Sequence, residues 1–136
     1  MNDQAQVSGT ASQSCVVLVV EDEALVRMVA VDLLESLGLI AVEAATAGEA
    51  VQRMRDAESR ITVALVDIGL PDRPGDVLAG ELHALDSELL IIIASGYGED
   101  VLQESFRDDR RVAFLSKPYG LEQLRDRLKT LGLMTS

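Results

Sequence analysis

Residues 16–28 read VVLVVEDEALVRM, a stretch that joins a solid apolar run to three consecutive carboxylates and then to helix-forming residues. The valine-rich run is typical of a strand that is covered on both faces of a sheet. Glu21, Asp22 and Glu23 repel one another, and burying them is costly unless a cation shares the site. The stretch therefore predicts either an acidic turn in open water or a metal-binding edge of a sheet.

The same alternation of apolar run and helical segment recurs along the chain. Further apolar runs that end in polar residues lie at 61–67, 89–95 and 111–117, and a weaker run lies at 39–45. Helical segments occupy 23–38, 46–58, 75–86, 99–109 and 121–133. Strands that alternate with helices favour right-handed crossovers and a parallel sheet with helices on both faces. The sequence thus predicts an α/β fold of five strand-helix units.

The length and composition of the chain limit its organisation and its partners. With 136 residues we expect one domain at 15–133, between a disordered leader at 1–14 and a short tail at 134–136. The net charge of -11 and the pI of about 4.4 oppose contact with a phosphate backbone, so we expect no direct nucleic-acid binding. The single cysteine, Cys15, excludes an intramolecular disulfide and suits a reducing cytoplasm. No apolar run reaches the ~20 residues of a membrane span, so no membrane contact is expected.

Polar side chains stand at the carboxyl ends of four of the predicted strands. Glu21 and Asp22 follow the first strand, Asp67 ends the third, Ser95 ends the fourth and Lys117 ends the fifth. In parallel α/β sheets ligands bind beyond these strand ends, so the three acids, the hydroxyl and the ammonium should converge. Several carboxylate oxygens at one point suit Mg²⁺, a hard cation that prefers oxygen ligands. The sequence therefore favours the metal-binding edge over the acidic turn.

At this point the chain resembles the receiver domain of two-component response regulators, from about Val16 to Leu133. The resemblance rests on VVEDE (19–23), ALVDIGLPDRPGD (64–76), IIIASGYG (91–98) and FLSKPY (114–119), placed in this order at four strand ends. It implies a flavodoxin-like sheet with strand order 2-1-3-4-5. It also implies a phosphoacceptor signalling module of a phosphorelay, which promotes its own phosphotransfer and dephosphorylation and is not an enzyme for external substrates.

The resemblance assigns a role to most of the residues at the strand ends. It implies that Asp67 accepts a phosphoryl group from a phosphohistidine of a sensor histidine kinase or a histidine phosphotransfer protein. Asp22 and Asp67 would bind Mg²⁺ directly, together with the main-chain carbonyl of Gly69. Glu21 stands where the family often has aspartate, and its extra methylene suggests contact through a metal-bound water. Lys117 would pair with a phosphoryl oxygen as a compact point charge.

The same resemblance points to the residues that would report phosphorylation to a downstream protein partner. The Ser95 hydroxyl, where threonine is commoner, would hydrogen-bond the phosphoryl group. Phe114 stands at the position of the family's switch aromatic. The SGYG run that begins at Ser95 is similar to a receiver subgroup that often lacks this aromatic, so Tyr97 is a second candidate for the switch. The Lys117-Pro118 peptide bond is expected to be cis.

Two other function classes stay open at this stage. One is a pseudo-receiver, a binding module that acts without phosphorylation. The other is a phosphatase that forms an aspartyl-phosphate on a parallel sheet, which would carry a second aspartate two residues after the nucleophile. Here that position is Gly69, which disfavours the phosphatase.

The first predicted helix carries apolar residues on more than one face. We expect its core stripe to consist of Val26, Val29, Leu33 and Leu37. This leaves three apolar residues on other faces, namely Leu25, Met28 and Val31. Either they form a docking site for a phosphodonor beside the acceptor, or the helix has an unusually wide core face.

Overall fold

A computed structural model describes residues 15–56, 60–96, 106 and 108–134. The elements in chain order are β1 (Val16–Val20), α1 (Ala24–Ser36), β2 (Ile40–Ala44), α2 (Ala47–Arg55), β3 (Val63–Asp67), α3 (Gly75–Leu85), β4 (Leu90–Ser95), β5 (Val112–Ser116) and α4 (Leu121–Thr130). All five predicted strands and four of the predicted helices are therefore confirmed. The expected leader and nearly all of the helix predicted at 99–109 lie outside the described residues. Across the described ranges, every helix is too short or too polar to cross a bilayer.

The five strands form one parallel sheet in the order β2-β1-β3-β4-β5, as the resemblance implies. The chain moves from β1 to β2 on one side and then crosses back to place β3 on the other side of β1. The order of strands reverses between β1 and β3, and this is where ligands bind in open α/β sheets. Val20 pairs with Val66 at this point, so the residues that follow β1 lie beside the end of β3.

The core has two halves, one on each face of the sheet. Alternate residues of β1 point to opposite faces, so Leu18 packs with α2 and α3 while Val17 packs with α1 and α4. On the second face, α4 contributes Leu124 and Leu128, which are both fully buried. The sheet is thus covered on both faces, which explains why β1, β3 and β4 are apolar up to their carboxyl ends.

The predicted core stripe of α1 is wrong in part. Ala30 and Leu34 are the buried residues of the helix, whereas Val29 is 55% exposed. Val31, expected on another face, packs against the core. The helix is apolar nearly all round, so its periodicity alone could not select the face that meets the sheet. Leu25 and Met28 lie in solvent, 74% and 55% exposed, so for these two residues the wide core face is excluded.

Candidate functional site

Three carboxylates converge where β1 and β3 end. Each of Glu21, Asp22 and Asp67 offers an oxygen, and these oxygens all lie within 4.8 Å of one another. Glu21 and Asp67 are buried, 5% and 8% exposed, while Asp22 is open to solvent. Glu23 caps α1 in an extended conformation, and its N–H donates to Glu21 Oε2 at 3.1 Å. This set of hard oxygen ligands with one open side fits Mg²⁺, which keeps several waters.

Lys117 supplies the positive charge that faces these acids. Its Nζ donates to Asp67 Oδ1 at 2.6 Å and to Glu21 Oε1 at 3.1 Å. The Lys117 N–H donates to the main-chain oxygen of Ser95 at 2.9 Å, which fixes the backbone beside β4. The Lys117-Pro118 bond is cis, as predicted. The structure therefore brings the ammonium into contact with the carboxylate to which the resemblance assigns the phosphoacceptor role.

The electrostatic environment of the site favours a further cation. Burial raises the pKa of Glu21, and the nearby charge of Asp67 adds to this, against the hydrogen bonds from Glu23 and Lys117. Burial alone would lower the pKa of Lys117, but its hydrogen bonds to Asp67 and Glu21 outweigh burial and raise that pKa. Among the described residues, Lys117 is the one ammonium hydrogen-bonded to this cluster of three carboxylates. The excess negative charge is what a divalent ion would neutralise.

Arg27 is a site residue that the sequence reasoning missed. Its Nη1 donates to the main-chain oxygen of Glu21 at 2.8 Å, and its Nε donates to Glu43 Oε1 at 2.9 Å. Arg27 therefore holds the turn that carries the acids against β2. The signal was present in the sequence, because Arg27 is the one basic residue in an otherwise apolar and acidic α1.

The turn after β3 is tight because Gly75 packs directly on the end of the strand. A Cβ added at Gly75 would lie 2.6 Å from the main-chain oxygen of Asp67 and 2.8 Å from Ile68 Cα. The Gly75 N–H also donates to the Ile68 oxygen at 2.9 Å. Gly69 lies at the open side of this turn, where an added Cβ would be 3.8 Å from Asp67 Oδ2. Gly69 is thus next to the acidic cluster, and its carbonyl as a metal ligand stays a prediction.

We expect Gly75→Ala to destabilise the fold and to displace the end of β3 that carries Asp67. The new methyl group meets main-chain atoms that cannot rotate away, so β3 and the turn must separate. Overpacking of this kind costs about 1–3 kcal/mol in the free energy of unfolding. Urea unfolding measures this loss, and Gly80→Ala is the control because an added Cβ there meets nothing within 4 Å. Equal stability of the two variants would contradict the close contact.

The candidate switch residues differ in what the structure shows of them. Ser95 is buried at the end of β4. Phe114 is half-buried, and its ring lies 6.2 Å from that of Phe106 at an interplanar angle of 52°. Arg127 donates from Nε to the Phe114 main-chain oxygen. Tyr97 lies outside the described residues, so its role as a second switch residue stays a prediction.

A groove opens beside Lys117, between the start of α1 and the turn that follows β5. Its volume is about 490 Å³, and its lining consists of Glu23, Val26, Val29, Lys117, Pro118 and Tyr119. Next to it, Leu25, Met28 and Val29 form an exposed apolar surface, which we call the α1 patch. Lys117 thus connects the acidic cluster with the groove.

The amino-acid sequence of the chain is similar to those of several curated signalling proteins. The chain is 35% identical over 120 residues to the sensor kinase CckA of Brucella abortus (strain 2308), with 88% of this chain and 13% of the kinase covered. It is 25% identical to sporulation initiation phosphotransferase F of Bacillus subtilis (strain 168), with 83% of this chain and 90% of that protein covered. Identity to the chemotaxis protein CheY of the same organism is 26%, with 85% and 97% covered. The chain therefore spans most of the two short relatives and a small part of the kinase.

Solved structures give the same result for the fold. A CheY-like receiver domain protein from Methanospirillum hungatei JF-1 superposes with a TM-score of 0.75 at 28% identity, covering 88% of this chain and 94% of that one. The receiver domain of the hybrid histidine kinase CckA superposes with a TM-score of 0.71 at 28% identity, covering 85% and 97%. Residues 17–129 match the response regulator receiver domain family. With the sheet order and the acidic cluster, this match shows that the chain belongs to the response regulator receiver domain family.

Proposed function

We propose that Asp67 of this receiver domain accepts a phosphoryl group from a phosphohistidine and that the modified domain binds a downstream protein differently. One observation carries the proposal. The buried Asp67 carboxylate lies 2.6 Å from Lys117 Nζ and shares its surroundings with two further carboxylates. A carboxylate is a competent nucleophile, and phosphoryl transfer depends on alignment and charge neutralisation, which this arrangement offers.

The chemistry assigns a separate task to each residue. A carboxylate oxygen of Asp67 attacks phosphorus, the new P–O bond forms as the P–N bond breaks, and the imidazole leaves with the electron pair and takes up a proton. The Lys117 ammonium offsets charge on the phosphoryl oxygens as a compact donor. The Ser95 hydroxyl, at the end of the next strand, would donate to another phosphoryl oxygen.

The metal belongs to the same proposal. Asp22, Asp67 and the Gly69 carbonyl would hold Mg²⁺, with Glu21 in contact through a water. When bound, the ion supplies positive charge that neutralises the acids and the phosphoryl oxygens and keeps them aligned. The close set of three oxygen ligands supports this assignment. A cytoplasmic location is also part of the proposal, and the free buried thiol of Cys15 agrees with it.

Incubation with acetyl phosphate tests the function directly. We expect intact-mass analysis to show one added phosphoryl group in the presence of Mg²⁺ and none after chelation. If the protein is labelled neither with Mg²⁺ nor after chelation, the result would favour the pseudo-receiver. Steady hydrolysis of external phosphate esters would instead favour the phosphatase.

We expect Mg²⁺ to stabilise the fold and to do so less at low pH. A ligand that binds the folded state alone contributes ~2.7 kcal/mol at a hundredfold excess over its Kd. The pKa of Glu21 is raised from 4.5, so its carboxylate lowers stability at neutral pH, and this penalty disappears as pH falls through the folded and then the unfolded pKa. Protons compete with the cation over the same range. Thermal melts with and without Mg²⁺ at several pH values measure the effect, and melting temperatures indifferent to Mg²⁺ at neutral pH would remove the metal site.

The α1 patch offers a surface for the phosphodonor. Receiver domains interact with histidine kinases and phosphotransfer proteins, and Val29 of the patch lines the groove together with Lys117, which contacts Asp67. We propose that a donor helix places apolar residues on this surface while its phosphohistidine reaches Asp67. Apolar side chains at the centre of an interface carry much of its binding energy.

A substitution in the α1 patch should slow phosphorylation by a protein donor but not phosphorylation by a small-molecule donor. Leu25→Asp is expected to slow phosphorylation by a kinase or phosphotransfer protein by about tenfold or more, because it places a charge in an apolar contact. Labelling by acetyl phosphate should not change. Val77→Asp is the matched control, since Val77 is 48% exposed on α3, away from the groove. A Leu25→Asp protein that reacts normally with its protein donor would place docking elsewhere.

A further inference from the structure

The turn LPDRPG at 70–75 contains a carboxylate that reaches a distant helix. Asp72 Oδ1 accepts from the Ala47 N–H at 2.9 Å, and Oδ2 accepts from the Gly48 N–H at 3.0 Å. Ala47 and Gly48 are the first two residues of α2, far from Asp72 in sequence. These contacts lower the pKa of Asp72, chiefly through the two backbone hydrogen bonds. Asp72 therefore joins the turn after β3 to the start of α2 as a charged acceptor.

The start of α2 has room for this acceptor because its own capping residues satisfy other donors. Thr46 Oγ1 accepts from the Glu49 N–H at 3.1 Å, and Glu49 Oε1 accepts from the Ala45 N–H at 2.8 Å. The amides of Ala47 and Gly48 are left for Asp72. The positive end of the helix dipole favours a carboxylate at this place. Thr46 and Asp72 thus cap the same helix, but only the Asp72 bonds involve the turn after β3.

The turn that Asp72 holds is the one that shapes the acceptor site. Gly69 lies three residues before Asp72 and borders Asp67 Oδ2. The far side of the turn is fixed by Gly75 on β3 and by Arg73, whose Nη1 donates to both Glu81 oxygens at 2.7 and 2.8 Å. The hydrogen bonds of Asp72 fix the turn on the side of α2. Without them, the segment from Gly69 to Asp72 would have more freedom beside the metal ligands.

We propose that Asp72 is a positioning residue for the metal site, which sets the affinity for Mg²⁺ by fixing the Gly69 carbonyl through its bonds to α2. Asp72 does not touch the ion or the phosphoryl group. This inference rests on the proposed function, because it concerns the same Mg²⁺ site. It goes beyond it by giving the turn and α2 a common role in metal binding.

The test compares two variants that both remove a cap from α2. Calorimetric titration of the full chain with MgCl₂ should give a Kd for Asp72→Ala about three- to tenfold higher than wild type, the scale of a lost capping interaction. Thr46→Ala loses a cap of similar strength without releasing the turn, so its Kd should stay within about twofold. Asp72→Asn keeps one oxygen acceptor, so its Kd for Mg²⁺ should lie between those of Asp72→Ala and Thr46→Ala. In the metal-free protein, the NMR amide resonance of Gly69 should move in Asp72→Ala and not in Thr46→Ala.

The outcomes separate this inference from the proposed function. An Asp72→Ala protein that binds Mg²⁺ like wild type makes Asp72 a helix cap and overturns the proposal. Equal weakening by Thr46→Ala overturns it as well, because loss of helix stability would then explain the effect. If Asp72→Ala does not fold, Asp72→Asn is judged against Thr46→Ala by the same criterion. A wild-type protein without affinity for Mg²⁺ contradicts the metal site itself.

Discussion

Asp67→Asn protein is expected to take up no phosphoryl group from acetyl phosphate or from a protein donor, whereas wild type is labelled in the presence of Mg²⁺. The amide that replaces the carboxylate has the same shape but no charge and is a poor nucleophile. It also removes one oxygen ligand from the acidic cluster and the anionic partner of Lys117. The fold should persist, because asparagine can still accept a hydrogen bond from the ammonium.

Intact-mass analysis and peptide mapping check this result. Asp32→Asn is the control, since it removes the same charge from the exposed face of α1. We expect that control to be labelled at the wild-type rate. If Asp67→Asn is labelled as fast as wild type, the acceptor lies at another residue and the proposed mechanism fails.

Lys117→Met should have the second largest effect, on both stability and reactivity. The substitution leaves Asp67 and Glu21 buried without their ammonium, which we expect to lower the free energy of unfolding by about 3 kcal/mol at neutral pH, the lower end for a broken buried pair because Lys117 is partly exposed. Loss of one positive charge beside the transferring group should slow phosphorylation by about a hundredfold. Lys117→Arg keeps the charge but replaces a compact ammonium by a planar group, so it should recover stability better than rate.

The pH dependence of the Lys117 variant follows from the shifted pKa values. The pKa of Lys117 is raised from 10.5, so the ion pair contributes fully below that value and is lost as pH rises through the folded pKa. On the acid side, Glu21 takes up a proton at a higher pH than an ordinary glutamate, and the deficit of Lys117→Met should shrink there. Urea unfolding in chelator measures both effects. Lys129→Met, at an exposed position on α4, is the control, and equal stability of the two variants at neutral pH would disprove the buried ion pair.

The strands were accessible to sequence reasoning because their signals are local and strong, whereas the order of the strands in the sheet came from the resemblance to receiver domains. Short, continuous apolar runs such as 89–95 favour a buried strand, and the polar residue at the end of such a run marks the carboxyl edge of the sheet. The face of α1 that packs against the sheet could not be predicted from the sequence. Val29 and Leu34 are both apolar, and only the position of the sheet decides that Leu34 is buried while Val29 is exposed.

The residues of the candidate site also fall into two groups, those that could be predicted from the sequence and those that could not. Glu21, Asp67 and Lys117 could be foreseen because parallel strands bring their ends to one edge. Asp72 could not, because its partners are two main-chain amides. Arg27 stands out as the one basic residue of α1, but its contact with the main-chain oxygen of Glu21 gave no signal. Main-chain groups are present at every residue, so a sequence does not indicate which of them a side chain will reach.

The two charges of the site come from different parts of the sheet. Asp67 ends β3, the central strand, whereas Lys117 follows β5, which lies at one edge. The ion pair therefore spans β4 and links the edge strand β5 to the central strand β3. Detachment of β5 by local opening would leave buried carboxylates without a counter-charge, so it costs more than fraying of an ordinary edge strand. Amide hydrogen exchange should accordingly be slower in β5 than in β2, the opposite edge, and phosphorylation would alter this balance by changing what the ammonium binds.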